Sequence, residues 1–121
     1  MKSRDAALKA KRFDAAEKAR KVASLEAMIH DFEVMAADLS RQVVAEEERT
    51  GVKDPAHFSY STFAKAAAQR RANLLTSVAD LKAKLDVAKR AQEDAALELS
   101  KLEPVEDRQQ LRKSDPRAAA T

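Results

Sequence analysis

The sequence has no cysteine, no tryptophan, one glycine and only five aromatic side chains among its 121 residues. Without cysteine the chain has no disulfide, no thiolate metal ligand and no cysteine nucleophile. One glycine is too few for the turns of a sheet protein, and so few aromatic residues do not fill a compact core of ordinary thickness. These shortages exclude strand-based folds and make an enzyme cleft improbable on composition alone.

Long apolar runs are also missing from the chain. No stretch approaches the roughly 18 apolar residues that a membrane-spanning helix needs. The basic N-terminus is followed by Lys9, Lys11 and Arg12 rather than by the apolar segment of a secretory signal. We therefore expect a cytoplasmic protein.

Alanine and charged residues dominate what the chain does contain. Alanine occurs 26 times, charged residues make up 36% of the sequence, and the formal net charge is +3. A composition rich in Ala, Glu, Lys, Leu and Arg is typical of long helices and coiled coils. The mild positive charge permits an acidic or nucleic-acid partner without requiring one.

Two heptad series predict an antiparallel two-helix coiled-coil hairpin, which is an all-α fold. Apolar residues recur every seventh position from Leu8 to Val43 and again from Ala67 to Leu102, with partly apolar companions three or four residues on. We expect one coiled-coil domain over residues 1–103, with helices over about 4–50 and about 61–103. Residues 104–121 are expected to form a flexible basic tail, because Pro104 breaks or kinks a helix.

The loop expected at 51–60 carries recognisable helix-ending and helix-starting residues. Gly51 stands where a left-handed C-terminal cap is needed, and Asp54 followed by Pro55 is typical of an N-cap with proline at the next position. A short helical turn is expected over 55–58. Ser61 is the expected cap of the second helix.

Pairing the two series predicts a register in which facing residues have numbers that sum to 110. Ile29 then faces Leu81, and Arg71 lies opposite Leu39. Charge favours the antiparallel order, because the acidic segment 21–50 then lies beside the basic segment 69–90. In the same way, Glu46, Glu47 and Glu48 have the sign that complements Lys65, Arg70 and Arg71 across the hairpin.

The sequence offers no arrangement typical of an active site, so we expect no enzyme, no cofactor and no metal. His30 and His57 are the only histidines. There is no glycine-rich phosphate loop and no spaced set of metal ligands. Met28 and Met35 flank the first series, where they serve either edge packing or an adaptable partner contact.

Three of the five aromatic residues lie close together beside the loop, namely Phe58, Tyr60 and Phe63. One interpretation is a small cluster that covers the turn. The other is a recognition surface in which these aromatics, with Arg70 and Arg71, anchor a protein partner. Aromatics interleaved with basic residues also occur in single-stranded nucleic-acid binding, but a hairpin offers no groove or sheet platform for it.

Several segments of the sequence resemble the FliJ family of flagellar export proteins in its short alphaproteobacterial form. The loop with its flanks is the most specific of them, since heptad composition does not dictate it. The segments are residues 1–6, Lys11-Arg12-Phe13, 45–49, Asp54-Pro55-Ala56-His57-Phe58 and 64–71.

The resemblance implies a non-enzymatic component of the flagellar type III export apparatus, a stalk and chaperone that promotes protein secretion, flagellum assembly and motility. The implied partners are the hexameric export ATPase, the cytoplasmic domain of the export gate, and export substrates or their chaperones. No nucleic acid is implied. The implied location is cytoplasmic, peripheral to the inner membrane at the flagellar base, with membrane contact only through the apparatus.

The resemblance also implies two sets of binding residues. Phe63 and Ala67 match the family's gate-contact patch, whereas Arg70 departs from its small apolar pattern, and Pro104 departs from its uninterrupted second helix. The gate-binding candidates are Phe58, Tyr60, Phe63, Ala67, Arg70 and Arg71. The ATPase-binding candidates are Lys2, Arg4, Lys9, Lys11, Arg12, Arg108 and Arg112.

Three other functions remain open from the residues alone. A helical hairpin could act as a holdase that binds unfolded chains with its tips, or as a generic coiled-coil scaffold. A basic coiled coil that binds nucleic acid is a third alternative, which a steep dependence of affinity on salt would reveal.

Overall fold

The computed structural model describes residues 2–103, with the side chain of Lys2 excepted, and shows two long helices. Helix α1 spans Lys2–Thr50 and helix α2 spans Thr62–Leu102. The described residues contain no strand. The all-α antiparallel hairpin expected from the heptad series is thus confirmed. Pro104 and the expected basic tail, with Arg108 and Arg112, lie outside the described residues.

The chain divides into two compact units, each of which contains part of both helices. The loop unit is Val22–Val87, and among the described residues the terminal unit consists of residues 2–21 and 88–103. The loop unit holds the turn between the helices.

The core of the loop unit is a thin apolar seam between α1 and α2. Its buried positions follow the alternating three- and four-residue spacing that the heptads predict, because only one stripe of each helix turns towards the other. Phe32, Val43, Leu74 and Leu85 are half-buried members of the same stripes. The buried residues are Val22, Leu25, Ile29, Ala36, Leu39, Ala64, Ala67, Val78 and Leu81.

The terminal unit has a thinner seam, in which small and polar residues replace most large apolar ones. Leu8, Ala88 and Ala95 are buried, while Lys18 and Gln92, whose numbers sum to 110, are half-buried. Alanine buries little apolar area, and each half-buried polar group keeps contact with water. This seam therefore contributes less hydrophobic stabilisation per turn than that of the loop unit.

Among residues 2–103, three polar side-chain contacts join α1 to α2 or to the residues just before it. Lys82 Nζ lies 3.6 Å from Glu33 Oε2, and Glu47 and Glu46 accept hydrogen bonds from Tyr60 and Ser61. The residue numbers sum to 115 in the first contact and to 107 in the other two. These sums bracket 110, as expected when flanking residues pair on either side of a seam in that register.

The structure shows where the charged side chains near the loop lie. Arg71 occupies a seam position in the heptad series but is exposed, because its long side chain carries the guanidinium out to water. Among residues 2–103 the triple glutamate forms no ion pair with Lys65, Arg70 or Arg71. Glu46 and Glu47 instead bind hydroxyl groups that lie nearer to them in the turn.

The turn between the helices is closed by the capping residues that the sequence indicates. Gly51 has φ +76° and its N–H donates to the carbonyl of Glu47 over 2.9 Å, which is the left-handed C-terminal cap. The Oδ1 of Asp54 accepts from Ala56 N–H, and the helical turn expected over 55–58 takes the form of two consecutive hydrogen-bonded turns. Ser61 Oγ accepts from Ala64 N–H over 3.2 Å, which confirms Ser61 as the N-cap of α2.

Candidate binding surfaces

The loop presents one aromatic side chain almost completely to solvent. Phe58 is 95% exposed, and its ring stacks on that of His57 with centroids 4.7 Å apart. His57 is itself held in place, because its Nδ1 accepts from Ser59 N–H over 3.0 Å and its carbonyl accepts from Tyr60 N–H. The hydrogen-bonded backbone thus orients Phe58 outward, an arrangement suited to insertion into an apolar pocket of a partner.

Tyr60, by contrast, is engaged within the molecule. Its hydroxyl donates to Glu47 Oε2 over 2.7 Å and the ring is half-buried. The hydrogen bond to the carboxylate, helped by partial burial and by the negative charge of Glu47, raises the pKa of Tyr60 above its ordinary value. Tyr60 therefore braces the loop against α1 and is less available to a partner than Phe58.

A second brace joins Glu46 to the start of α2. Its carboxylate accepts from Arg49 over 2.5 Å and from the Ser61 hydroxyl over 2.9 Å. These two hydrogen bonds lower the pKa of Glu46 below its ordinary value. The bond from Arg49 has the larger effect, and the bond from Ser61 has the next largest. The same ion pair raises the pKa of Arg49. We call the contacts of Glu46 and Glu47 with Ser61 and Tyr60 the double brace.

The remaining gate-binding candidates lie on α2 close to its start. Phe63 is 56% exposed, whereas Ala67 is buried in the seam. Arg70 and Arg71 are exposed. Phe58, Phe63 and Arg70 are therefore accessible to a partner protein, whereas the buried Ala67 is not a surface contact.

The ATPase-binding candidates that the structure describes lie in the terminal unit, in the first three turns of α1. Arg4, Lys9 and Arg12 are exposed and Lys11 is half-buried. Among residues 2–103 none of them forms an ion pair, whereas Lys18 pairs with Asp14 and Arg20 with Glu17 further along the helix. Within the described residues, the start of α1 thus carries cations that have no ion-pair partner.

The described residues hold no group of three or more His, Asp or Glu side chains that could bind a metal ion. Over the same residues, neither helix contains a stretch that is both long enough and apolar enough to cross a bilayer. Open depressions lie on the surface of the loop unit, and one of them measures about 450 Å³.

The double brace is the feature that sequence reasoning missed. The sequence indicated only that three glutamates end α1 and that basic residues open α2. It gave no signal for which hydroxyl each carboxylate binds, because that depends on the path of the loop. The spacing of Glu46 and Ser61 around a glycine cap is the one pattern that could have suggested it.

Comparison with known proteins finds no matching family model, no matching curated protein and no matching solved structure.

Proposed function

We propose that this chain is a non-enzymatic, FliJ-like component of the flagellar type III export apparatus, which binds the export ATPase and the cytoplasmic domain of the export gate. In this proposal it works as a stalk and chaperone that promotes secretion, flagellum assembly and motility. It would be located in the cytoplasm at the flagellar base, peripheral to the inner membrane.

One observation carries the proposal: the two sets of candidate binding residues fall in different units of an all-α hairpin. The exposed cations Arg4, Lys9 and Arg12 belong to the terminal unit, and the exposed aromatics Phe58 and Phe63 belong to the loop unit. A protein that bridges two partners needs surfaces of different chemistry that can be occupied together. The family resemblance of the loop segment 54–58 supplies the identity of those partners.

The chemistry of each surface supports the assigned partner. A cluster of exposed cations favours a surface with acidic or polar groups, such as the inner wall of a ring, and contributes more to association rate and orientation than to tight packing. An outward aromatic on a hydrogen-bonded loop favours a contact made of a few anchors. The thin alanine-rich seam is compatible with a hairpin that gains stability when partners bind.

ATP hydrolysis by the purified export ATPase tests the proposal. Adding the chain at substoichiometric amounts should raise turnover, because one stalk serves several catalytic subunits of a ring. Adding a helical hairpin of similar charge but unrelated sequence is the matched control and should leave turnover unchanged. Suppressed aggregation of unrelated unfolded proteins, with no effect on turnover, would favour the holdase alternative instead.

A further inference from the structure

The seam of the terminal unit holds its large apolar residues at one end only. In the register whose facing numbers sum to 110, Leu8 lies opposite Leu102, and Leu99 lies opposite Lys11. Leu8 is buried, and Leu99 and Leu102 are half-buried. We call these three leucines, at the start of α1 and the end of α2, the leucine clasp.

Behind the leucine clasp the seam has few groups that hold the helices together. The next two layers towards the loop pair Ala15 with Ala95 and Lys18 with Gln92. Of these four residues only Ala95 is buried, and the others are half-buried. An alanine buries a single methyl group, and a half-buried amine or amide keeps part of its hydration. The three leucines therefore supply most of the hydrophobic contact between the helices of this unit.

The ion pairs of the terminal unit add nothing to the contact between its helices. Between described residues of this unit each pair lies within one helix, namely Asp14 with Lys18, Glu17 with Arg20, and Glu98 with Lys101. These pairs persist when the helices separate. In the loop unit, by contrast, the ion pair of Glu33 with Lys82 joins α1 to α2, and separation of the helices there would break it.

We propose that the terminal unit is a conformational device, in which release of the leucine clasp lets residues 2–21 of α1 and 88–103 of α2 separate in one step while the loop unit stays folded. The open form is a minor state in equilibrium with the closed form. This inference goes beyond the proposed function and does not depend on it, since it rests on the seam of the terminal unit.

Separation in one step follows from the position of the leucine clasp. Once the leucines part, the layers behind them retain too little apolar area to keep the helices in contact, so the whole unit opens rather than its last turn alone. Each separated segment is then a single helix in water, which is only marginally stable. Its backbone N–H groups consequently exchange with solvent, and seam residues such as Leu8 and Ala15 become accessible to a partner.

Hydrogen exchange of the full chain, followed residue by residue by NMR at low urea concentrations, tests the proposal. Amides of residues 11–18 and 92–99 should share one opening free energy, with a weak dependence on urea. Amides of residues 25–36 and 78–85 should be at least about tenfold better protected and should depend more strongly on urea, because their exchange requires more surface to be exposed.

Variants assign the opening to the leucine clasp. Leu8→Ala should lower the protection of the terminal-unit amides in both helices by at least about tenfold, and should change that of the loop-unit amides by less than about twofold. Leu97→Ala is the matched control, because it makes the same change in the same unit at a side chain that is 59% exposed, and it should leave protection unchanged.

A stabilising variant makes the test independent of any variant that folds poorly. Lys18→Leu combined with Gln92→Leu adds an apolar layer behind the leucine clasp and should raise the protection of the terminal-unit amides. Circular dichroism checks the helix content of every variant.

Four results would overturn the proposal. One opening free energy for the amides of both units would mean that the hairpin unfolds only as a whole. Protection that falls gradually towards each helix end, and responds to Leu8→Ala in α1 alone, would indicate ordinary fraying. Unchanged protection in the combined Lys18 and Gln92 variant would contradict the weak layers, and a complete lack of protection at 11–18 and 92–99 would mean that the closed form is not the major state.

Discussion

The hydroxyl of Tyr60 donates a 2.7 Å hydrogen bond to the carboxylate of Glu47, thirteen residues earlier in the chain. This contact ties the end of the loop to the last turns of α1 and leaves the neighbouring Phe58 facing solvent. The loop is thus braced on one side and open on the other. The two aromatics, two residues apart in sequence, therefore have different roles.

Replacing Tyr60 by Phe should measurably lower the free energy of unfolding, because it removes one hydrogen bond to a charged acceptor and keeps the ring. Chemical denaturation followed by circular dichroism measures the change. Ser59→Ala is the matched control, since it alters an exposed side chain and keeps the backbone N–H that binds His57. Equal effects of the two changes would contradict the bracing role of Tyr60.

The Tyr60 brace should also weaken at high pH. The pKa of Tyr60 is raised in the folded state above its ordinary value of 10. The protonated tyrosine therefore stabilises the fold below pH 10, and this contribution is lost as the pH rises through the raised pKa. Thermal melts above pH 10 should show a decline in midpoint that is smaller in Tyr60→Phe. Parallel declines in both proteins would contradict the prediction.

Glu46 should act in the opposite pH range. Arg49 and Ser61 lower the pKa of Glu46 in the folded state below its ordinary value of 4.5. The ionised carboxylate therefore stabilises the fold above pH 4.5, and this contribution disappears as the pH falls through the lowered pKa. Glu46→Gln should therefore flatten the loss of stability below pH 4.5. Glu48→Gln, at an exposed carboxylate without an ion pair among residues 2–103, is the control and should leave that loss unchanged.

Much of the fold could be predicted from the sequence because the pattern that produces it is local and repetitive. The buried residues Ile29, Ala36, Val78 and Leu81 are all heptad positions, and Gly51 and Ser61 act as caps through their own backbone and hydroxyl groups. Arg71 is the exception, because it is exposed at a heptad position. A heptad position indicates which face of the helix a residue occupies, but it does not determine whether a long charged side chain remains buried in the seam.

The candidate surfaces were less predictable for a physical reason. The sequence shows three aromatics close to the turn, but which of them points outward depends on hydrogen bonds between residues far apart in sequence, such as Glu47 with Tyr60. The open depression where Ala37 and Ser40 of α1 lie beside Leu75 of α2 is harder still to predict, because no spacing within one helix encodes that juxtaposition.

The register predicts a specific cross-link. Cysteines at Ile29 and Leu81, whose numbers sum to 110, should form a disulfide within one chain under mild oxidation, because facing seam residues bring their Cβ atoms within reach. The control pair is Ile29 with Leu74, one heptad away, where the added separation of about 10 Å exceeds disulfide reach. Efficient cross-linking of the control pair, or cross-linking only between chains, would contradict the register.

Leu81→Ala should lower the free energy of unfolding by about 2–5 kcal/mol, because Leu81 is only 8% exposed in the seam of the loop unit and its loss leaves a cavity. Leu97→Ala is the control, at a side chain that is 59% exposed, and should change stability by less than about 0.5 kcal/mol. Denaturant titration measures both. A loss below about 0.5 kcal/mol for Leu81→Ala would mean that this residue does not support the seam.

The proposed function predicts that the two binding surfaces can be uncoupled by mutation. Reversing Lys9, Lys11 and Arg12 to Glu should abolish stimulation of the export ATPase and leave binding to the gate domain intact, because these cations belong to the terminal unit. Phe63→Ala should do the opposite, since it removes an exposed anchor from the loop unit. Motility should fall in both strains.

A matched control separates the position of the charges from their number. Reversing Lys84, Lys89 and Arg90 to Glu makes the same change in net charge at three exposed residues of α2, and should preserve stimulation of the ATPase. Circular dichroism must show the same helix content in all variants, because a melted seam would weaken every contact at once. If both test variants, folded normally, weakened both partners equally, the two surfaces would not act independently and the proposed bridging role would be wrong.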